Sequence, residues 1–281
     1  VCHFIMKAAI LIRLSCFLKG GFYMESRWNP VLYLQFESER TRPARELLAR
    51  VDPVRVRYVT DLGCGPGNST EWLVKAWPDA LVTGLDNSAS MLDAACRRLE
   101  KARFVLGDIG QWKPGRLQDV IFANASLQWL SGHELLFPRL AGYLEKGGVL
   151  AVQMPDNLDE PTHVLMRETA EEPGWCDKMG DAGAFRQRLL PMEAYYDLLA
   201  EADCTVDMWK TIYCHVMPSV EAIAQWLKAT GLRPFLVRLD KEEQALFLDR
   251  YITRLKTVYR PRSDGTVLLA FPRLFMVAKR R

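Results

Sequence analysis

From residue 44 onward the apolar positions follow two alternating rhythms. Short, nearly continuous apolar runs at 56–62, 80–85, 103–107, 117–123 and 149–154 read as buried strands. Between them, apolar residues recur at helical spacing. Trp72, Leu73, Ala76 and Trp77 share one face of a helix predicted over 69–77. Met91, Leu92, Ala95 and Leu99 do the same over 90–100. A helix is also predicted over 44–50, and another from after residue 129 to 144, where Gly147 and Gly148 turn the chain into the fifth strand. Five strands joined by helices of roughly ten residues predict a parallel sheet covered on both faces.

Beyond Pro155 the alternation stops. Residues 156–200 read as mostly helical, punctuated by Pro161, Pro173 and Pro191. A strand is predicted over 205–217, helices over 219–260, and a closing strand over 266–278 broken by Pro272. There is no internal repeat and no low-complexity tract.

Composition narrows the picture without deciding it. A chain of 281 residues with 49% hydrophobic and 25% charged residues suits one large globular domain. The net charge of +3 is too mild for a nucleic-acid binder, which needs a concentrated basic face. Seven cysteines, irregularly spaced and without C-x-x-C, suggest reduced thiols in a cytoplasmic protein, not a disulfide framework. No spacing of His, Cys and Asp predicts a metal site. Residues 1–23 differ from the rest, with no acid and the bases Lys7, Arg13 and Lys19 interrupting an apolar run. That run is too short and too charged to span a bilayer, and it lacks a signal-cleavage site. It is read as an extension outside the fold, with a basic membrane-surface or targeting helix as the alternative.

The candidate chemistry begins at the first strand, which enters D-L-G-C-G-P-G-N-S-T at 61–70. A glycine-rich turn from strand to helix brings backbone close to a ligand at the carboxyl end of a sheet. Alone it is a weak sign, because dinucleotide folds place G-x-G-x-x-G there. Here the glycines alternate at Gly63, Gly65 and Gly67, and Asp61 precedes them. A carboxylate at that point sits badly against a pyrophosphate and suits an ammonium, which favours S-adenosylmethionine over NAD. Asp86 ends the second strand, 25 positions after Asp61, where a carboxylate accepts from ribose hydroxyls. Asp108 ends the third strand and suits the adenine amino group, with the Ile109 amide donating to the ring. Asn124 to Ser126, after the fourth strand, would close over the methionine part. Any one acid could be a solvated cap; three on successive strand ends argue for the cofactor.

Further segments carry a resemblance. They are W-N-P-V-L-Y-L-Q-F at 28–36, E-R-T-R-P-A at 39–44, F-A-N-A-S-L-Q-W-L at 122–130, V-Q-M-P-D-N at 152–157, P-T-H-V-L-M-R-E at 161–168 and L-L-A-F-P-R-L-F at 268–275. With the glycine motif they make residues 25–280 resemble the class I S-adenosylmethionine-dependent methyltransferases, in particular those that esterify a carboxylate of trans-aconitate. Residues 1–23 have no counterpart there, and 171–190 look freer than their surroundings. The resemblance implies an α/β fold: a Rossmann-like, doubly wound, seven-stranded sheet, mostly parallel with the last strand antiparallel. It implies one domain over 24–281, with residues 156–200 and 219–260 as helical lid insertions. The last two strands are expected to form an antiparallel hairpin at one edge, where Pro272 is tolerated.

Methyl transfer to a carboxylate needs no general base, since the acid is ionised at pH 7, so no catalytic residue is nominated. A small tricarboxylate does need cations, and bidentate arginines suit it. Candidate substrate contacts are Arg40 and Arg42, ahead of the first helix, then His163, Arg167, Arg233 and Arg273. Trp28, Tyr33, Trp129, Tyr195 and Tyr196 are candidate walls. His133 and His215 read as core or surface histidines. Neither nucleic acid nor membrane is expected as a partner, and the oligomeric state, monomer or homodimer, stays open. Competing readings are a methyltransferase for another small acid, a non-catalytic cofactor-binding module, a nucleic-acid amino-methyltransferase and an NAD dehydrogenase. The amino-methyltransferase would need a polar-Pro-Pro-aromatic loop where this chain has N-A-S-L.

Overall fold

The computed structural model describes residues 37–53 and 55–281. The expectations for residues 1–23, Trp28 and Tyr33 lie outside the described residues.

Seven strands form one sheet in the order β3-β2-β1-β4-β5-β7-β6. They are β1 (Tyr58–Leu62), β2 (Leu81–Asp86), β3 (Arg103–Leu106), β4 (Gln118–Asn124), β5 (Leu144–Pro155), β6 (Cys204–Met217) and β7 (Val267–Arg280). The first five are parallel, and β7 runs antiparallel to both of its neighbours. Helices α1 (Glu37–Leu48), α2 (Asn68–Ala76), α3 (Ala89–Arg98) and α4 (His133–Gly142) belong to the alternating half. Later come α5 (Pro161–Ala170), α6 (Cys176–Met179), α7 (Met192–Glu201), α8 (Val220–Lys228), α9 (Arg233–Leu236) and α10 (Lys241–Val258). None of the described helices is long and apolar enough to cross a membrane.

The continuous apolar runs follow from burial on both faces. In β4, Val120 and Phe122 point into one core while Ile121 and Ala123 point into the other. In β7, Phe275 and Val277 alternate in the same way with Leu274 and Met276. The first core takes in α1, α8 and α10, and the second takes in α4 and α7. Ser219 caps α8 through the Ala222 amide, and Asp240 with Glu243 forms a reciprocal capping box on α10. The strand order reverses between β1 and β4, which opens a crevice at their carboxyl ends.

Four expectations need correction. The first helix begins at Glu37, not 44, and Pro43 lies inside it. Arg40 and Arg42 therefore belong to the helix and do not precede it. Two residues turn a helix by about 200°, so their side chains diverge. Second, β5 begins at Leu144, five residues early. Gln118 pairs with Leu144 and Val120 with Val149, so the intervening residues are taken up by a register shift at Gly147, whose φ is +76°. Third, Asp108 lies two residues past the end of β3. Fourth, Pro272 is in an interior strand and leaves it unbroken, because β7 lies between β5 and β6. Its carbonyl accepts from the Asp156 amide at 3.0 Å on the β5 side. The amide that proline lacks would face that same side and return the bond to Asp156, so pairing with β5 stops one residue earlier, at Pro155 with Arg273, while the β6 side keeps its register through Ile212 and Pro272.

Candidate active site

The glycine turn has the backbone that only glycine adopts easily: φ is +74° at Gly63, +55° at Gly65 and +87° at Gly67. The amides of Gly63 and Cys64 donate to the Leu85 carbonyl at 2.7 and 3.0 Å, which pins the turn to β2. Ser126 Oγ donates to the Leu62 carbonyl at 2.6 Å, and a Cβ at Gly63 would overlap the Ser126 Cβ. At Gly65 a Cβ would meet nothing within 4 Å, because this residue faces open space. Asp86 closes the loop: its Oδ2 accepts from the Gly65 amide and its Oδ1 from the Ser88 amide, each at 2.9 Å. Burial raises the Asp86 pKa, and the two amides oppose that.

That open space is a cavity of about 350 Å³, within the range of small-molecule sites. Gly63, Gly65, Asp86, Asp108, Ile109 and Asn124 line it on the sheet side. Asp108 Oδ1 accepts from the Gly110 amide at 2.8 Å, which fixes the carboxylate at the rim. Of the eight residues expected to hold cofactor, Asp61 and Gly67 do not line the cavity. Gly67 faces Ala95 and Leu99 of the α3 segment and starts α2. Asp61 lies beneath the turn, with no exposed surface. Its Oδ2 accepts from Ser69 Oγ and Thr70 Oγ1, both at 2.7 Å, so it ties the start of α2 to the end of β1.

Does this cavity suit S-adenosylmethionine? One buried polar atom in the cavity wall, Asn124 Oδ1, has no hydrogen-bond partner. It is an acceptor, and a ligand carrying an ammonium supplies donors. The carboxylates at Asp86 and Asp108 suit hydroxyl and amino donors in the same way. The residues fit the group.

A smaller chamber of about 70 Å³ adjoins the first, and the two share Asn124, Ala125, Trp129 and Thr230. Ala125 turns between them at φ +55°, a conformation costly for alanine, and its amide is held by the Gln153 carbonyl at 2.9 Å. Three arginines from distant parts of the chain line the chamber: Arg40, Arg186 and Arg273. Arg40, on α1, lies 4.9 Å over the Trp226 ring and donates to the Trp226 carbonyl. Arg273, on β7, donates to Gln153 Oε1 at 3.1 Å and lies 4.6 Å over Phe271. Arg186 donates to Asn157 Oδ1 at 2.9 Å and to the Pro155 carbonyl at 2.6 Å. His163 completes the wall. Burial, then Arg186 and Arg167, push its pKa down to about 3, so it is an uncharged hydrogen-bonding group at neutral pH.

Other expected contacts fall elsewhere. Arg233 lines the larger cavity, not the chamber. Arg167 reaches a small adjoining pocket and donates to the Leu158 carbonyl at 2.8 Å. Arg42 points outward from α1 to Glu46 at 2.7 Å, with its side chain 67% exposed. Tyr196 is 52% exposed on α7, against the opposite core, and lines neither space. Tyr195 is core, with its hydroxyl 2.6 Å from His133 Nδ1. His133 and His215 are both buried. The reading of the sequence missed Arg186, Gln128 and Thr230, and no local pattern singles them out.

The profile of a family described as a methyltransferase domain matches residues 59–148. A trans-aconitate 2-methyltransferase of Acidovorax ebreus is 54% identical over 253 residues, covering 90% of this chain and 98% of that protein. One of Escherichia coli O157:H7 is 55% identical over 255 residues, covering 91% and 99%. Among solved structures, the YcgJ protein of Bacillus subtilis matches with a TM-score of 0.55 at 13% identity, over 85% of this chain and 99% of that one. A Haemonchus contortus phosphoethanolamine N-methyltransferase 2 solved with S-adenosylhomocysteine matches with a TM-score of 0.51 at 15% identity, over 85% and 52%. These two likenesses concern the fold.

Proposed function

The chain belongs to the trans-aconitate 2-methyltransferase family, and on that premise we propose that it transfers the methyl group of S-adenosylmethionine to a carboxylate of trans-aconitate. The products are a monomethyl ester and S-adenosylhomocysteine. The observation that carries this reading is the junction of the two spaces. An acid-lined cavity suited to an adenosine and an ammonium opens onto a chamber lined by three arginines.

S-adenosylmethionine supplies an electrophilic methyl group on a sulfonium. The chain's work is to place an already ionised carboxylate oxygen in line with it. Asp86, Asp108, Ile109, Gly63, Gly65 and Asn124 hold the cofactor, and Asp61 and Gly67 hold the turn that carries them. Arg40 and Arg273 attract the polyanion from the far side, so the reacting oxygen is left at the shared wall near Asn124, Ala125 and Trp129. Orientation of this kind is worth up to about 7–11 kcal/mol. Binding energy from carboxylates that do not react is well used there, since gripping the nucleophile itself would hold it back. The helices at 156–200 and 219–260 act as a lid: Phe185, Thr230, Arg233 and Pro234 face the sheet-side residues across the cavity and exclude water from the reaction. A cytoplasmic location accords with the unpaired state of the five described cysteines.

The test is methyl transfer from labelled cofactor to trans-aconitate, cis-aconitate, citrate and a monocarboxylate. Base-labile label on trans-aconitate, with the ester identified by mass spectrometry, is the expected result. Cofactor binding without labelling of any acid would sink the substrate assignment.

A further inference from the structure

Arg186 stands apart from its neighbours in the chamber. It comes from the segment between the short turn Ala182–Phe185 and α7, far in sequence from every motif at the sheet's carboxyl edge. Its acceptors, Asn157 Oδ1 and the Pro155 carbonyl, are both neutral, and among the described residues no carboxylate forms an ion pair with it. Asp156, the acid next to those acceptors, is held by Lys210 at 2.7 Å. The Nε of Arg186 is buried and has no acceptor. Burial lowers its pKa to about 10 and nearby Asp156 offsets this only in part, the mark of a cation whose charge is incompletely compensated. The guanidinium also lies 5.9 Å over the Trp129 ring, the aromatic wall common to the chamber and the cofactor cavity.

A buried guanidinium with one N–H unused and only neutral partners is an anion site awaiting its anion. We propose that Arg186 grips a non-reacting carboxylate of the substrate and thereby selects polycarboxylates over monocarboxylates. This deepens the proposed function and rests on its reading of the substrate as a tricarboxylate. The selectivity arises because a monocarboxylate presents its only anionic group to the methyl donor, leaving Arg186 without a counter-ion. A tricarboxylate satisfies Arg186 while another of its carboxylates meets the methyl group. The segment 171–190 would then be the part of the chain that sets which acids are accepted.

Calorimetric titration of trans-aconitate, and separately of citrate, into protein saturated with S-adenosylhomocysteine tests this, with melting of the unliganded protein in parallel. In Arg186→Gln, tricarboxylate affinity is expected to fall about a hundredfold, while S-adenosylhomocysteine affinity stays within about threefold. The unliganded variant should melt at or above the unsubstituted protein, because an incompletely compensated buried charge opposes folding. Arg186→Lys, which keeps the charge and loses the fork, should fall between the two. Arg188→Gln removes an exposed cation paired to Asp159 and should bind tricarboxylate as before.

Tricarboxylate affinity in Arg186→Gln within about threefold of the original overturns the assignment. So does a lower melting point accompanied by loss of S-adenosylhomocysteine affinity, the result expected of a structural strut. The proposed function fails separately. Citrate binding that depends on Arg186, without binding or methylation of trans-aconitate, supports the anion site and overturns the substrate.

Discussion

Asp61 is wholly enclosed, and the cost of ionising it there outweighs the help of two hydroxyl donors. Burial raises its pKa from 3.8 to about 6; Thr70 and Ser69 act against the shift, and Asp86 adds to it. The folded state thus holds this proton more tightly than the unfolded chain does. Its contribution to stability is present below the unfolded pKa and is lost as pH rises from about 4 through 6. The loss amounts to about 2–3 kcal/mol. Asp61→Asn should therefore gain stability relative to the unsubstituted protein across that window, levelling off above it. Denaturant titrations from pH 4 to 8 read the difference directly. A difference that stays constant with pH would show that Asp61 is not the titrating group. His163 has the opposite sign: its pKa falls to about 3, so its contribution is lost as pH falls from the unfolded value of 6.5.

At the scale of elements, the glycine turn and α1 show how backbone geometry aims side chains. Gly63 and Gly65 share a positive φ but differ in what surrounds them. A methyl at Gly63 adds a collision with Ser126 to the backbone strain, whereas a methyl at Gly65 adds strain alone. Gly63→Ala should cost about 2–4 kcal/mol of stability and abolish measurable cofactor binding. Gly65→Ala should cost about 1–2 kcal/mol and weaken binding by narrowing the cavity. Melting curves and calorimetry on the pair check this. Equal destabilisation would mean that the Ser126 contact does not matter. In α1 the same logic separates neighbours in sequence: Arg40 faces the chamber and Arg42 faces solvent, because two helical steps reverse the direction.

The whole molecule is one sheet covered on both sides, with its ligand spaces at the edge where strand order reverses. The cavity is walled by the glycine turn, by residues just after β3 and β4, and by residues 230–237. A ligand filling it bridges the alternating half of the chain and the later helices. Binding confined to the folded state stabilises by about 2.7 kcal/mol at a hundredfold excess over Kd. For a chain of this size that corresponds to a rise in Tm of about 4–6 °C with S-adenosylhomocysteine. An unchanged Tm at saturation would contradict a ligand bridging both walls.

The sequence by itself determined the parallel half and the glycine turn at its carboxyl edge. Each strand, turn and acid there is read within a short window: apolar runs bounded by Asp61, Asp86 and Asp108, with alternating glycines that only a tight turn requires. These signals survive without tertiary information because burial on both faces and positive φ impose their residue types locally. Tertiary structure alone decided the rest. Arg40, Arg186 and Arg273 meet across more than two hundred residues, and no spacing announces it. Tyr196 resembled a pocket wall until α7 was placed on the far core, and Pro272 resembled an edge residue until β7 was placed inside the sheet. The physical reason is common to all of these. A side chain's residue type reflects its immediate backbone, but its partners are set by which face of which layer packs against which, and that is a property of the folded chain.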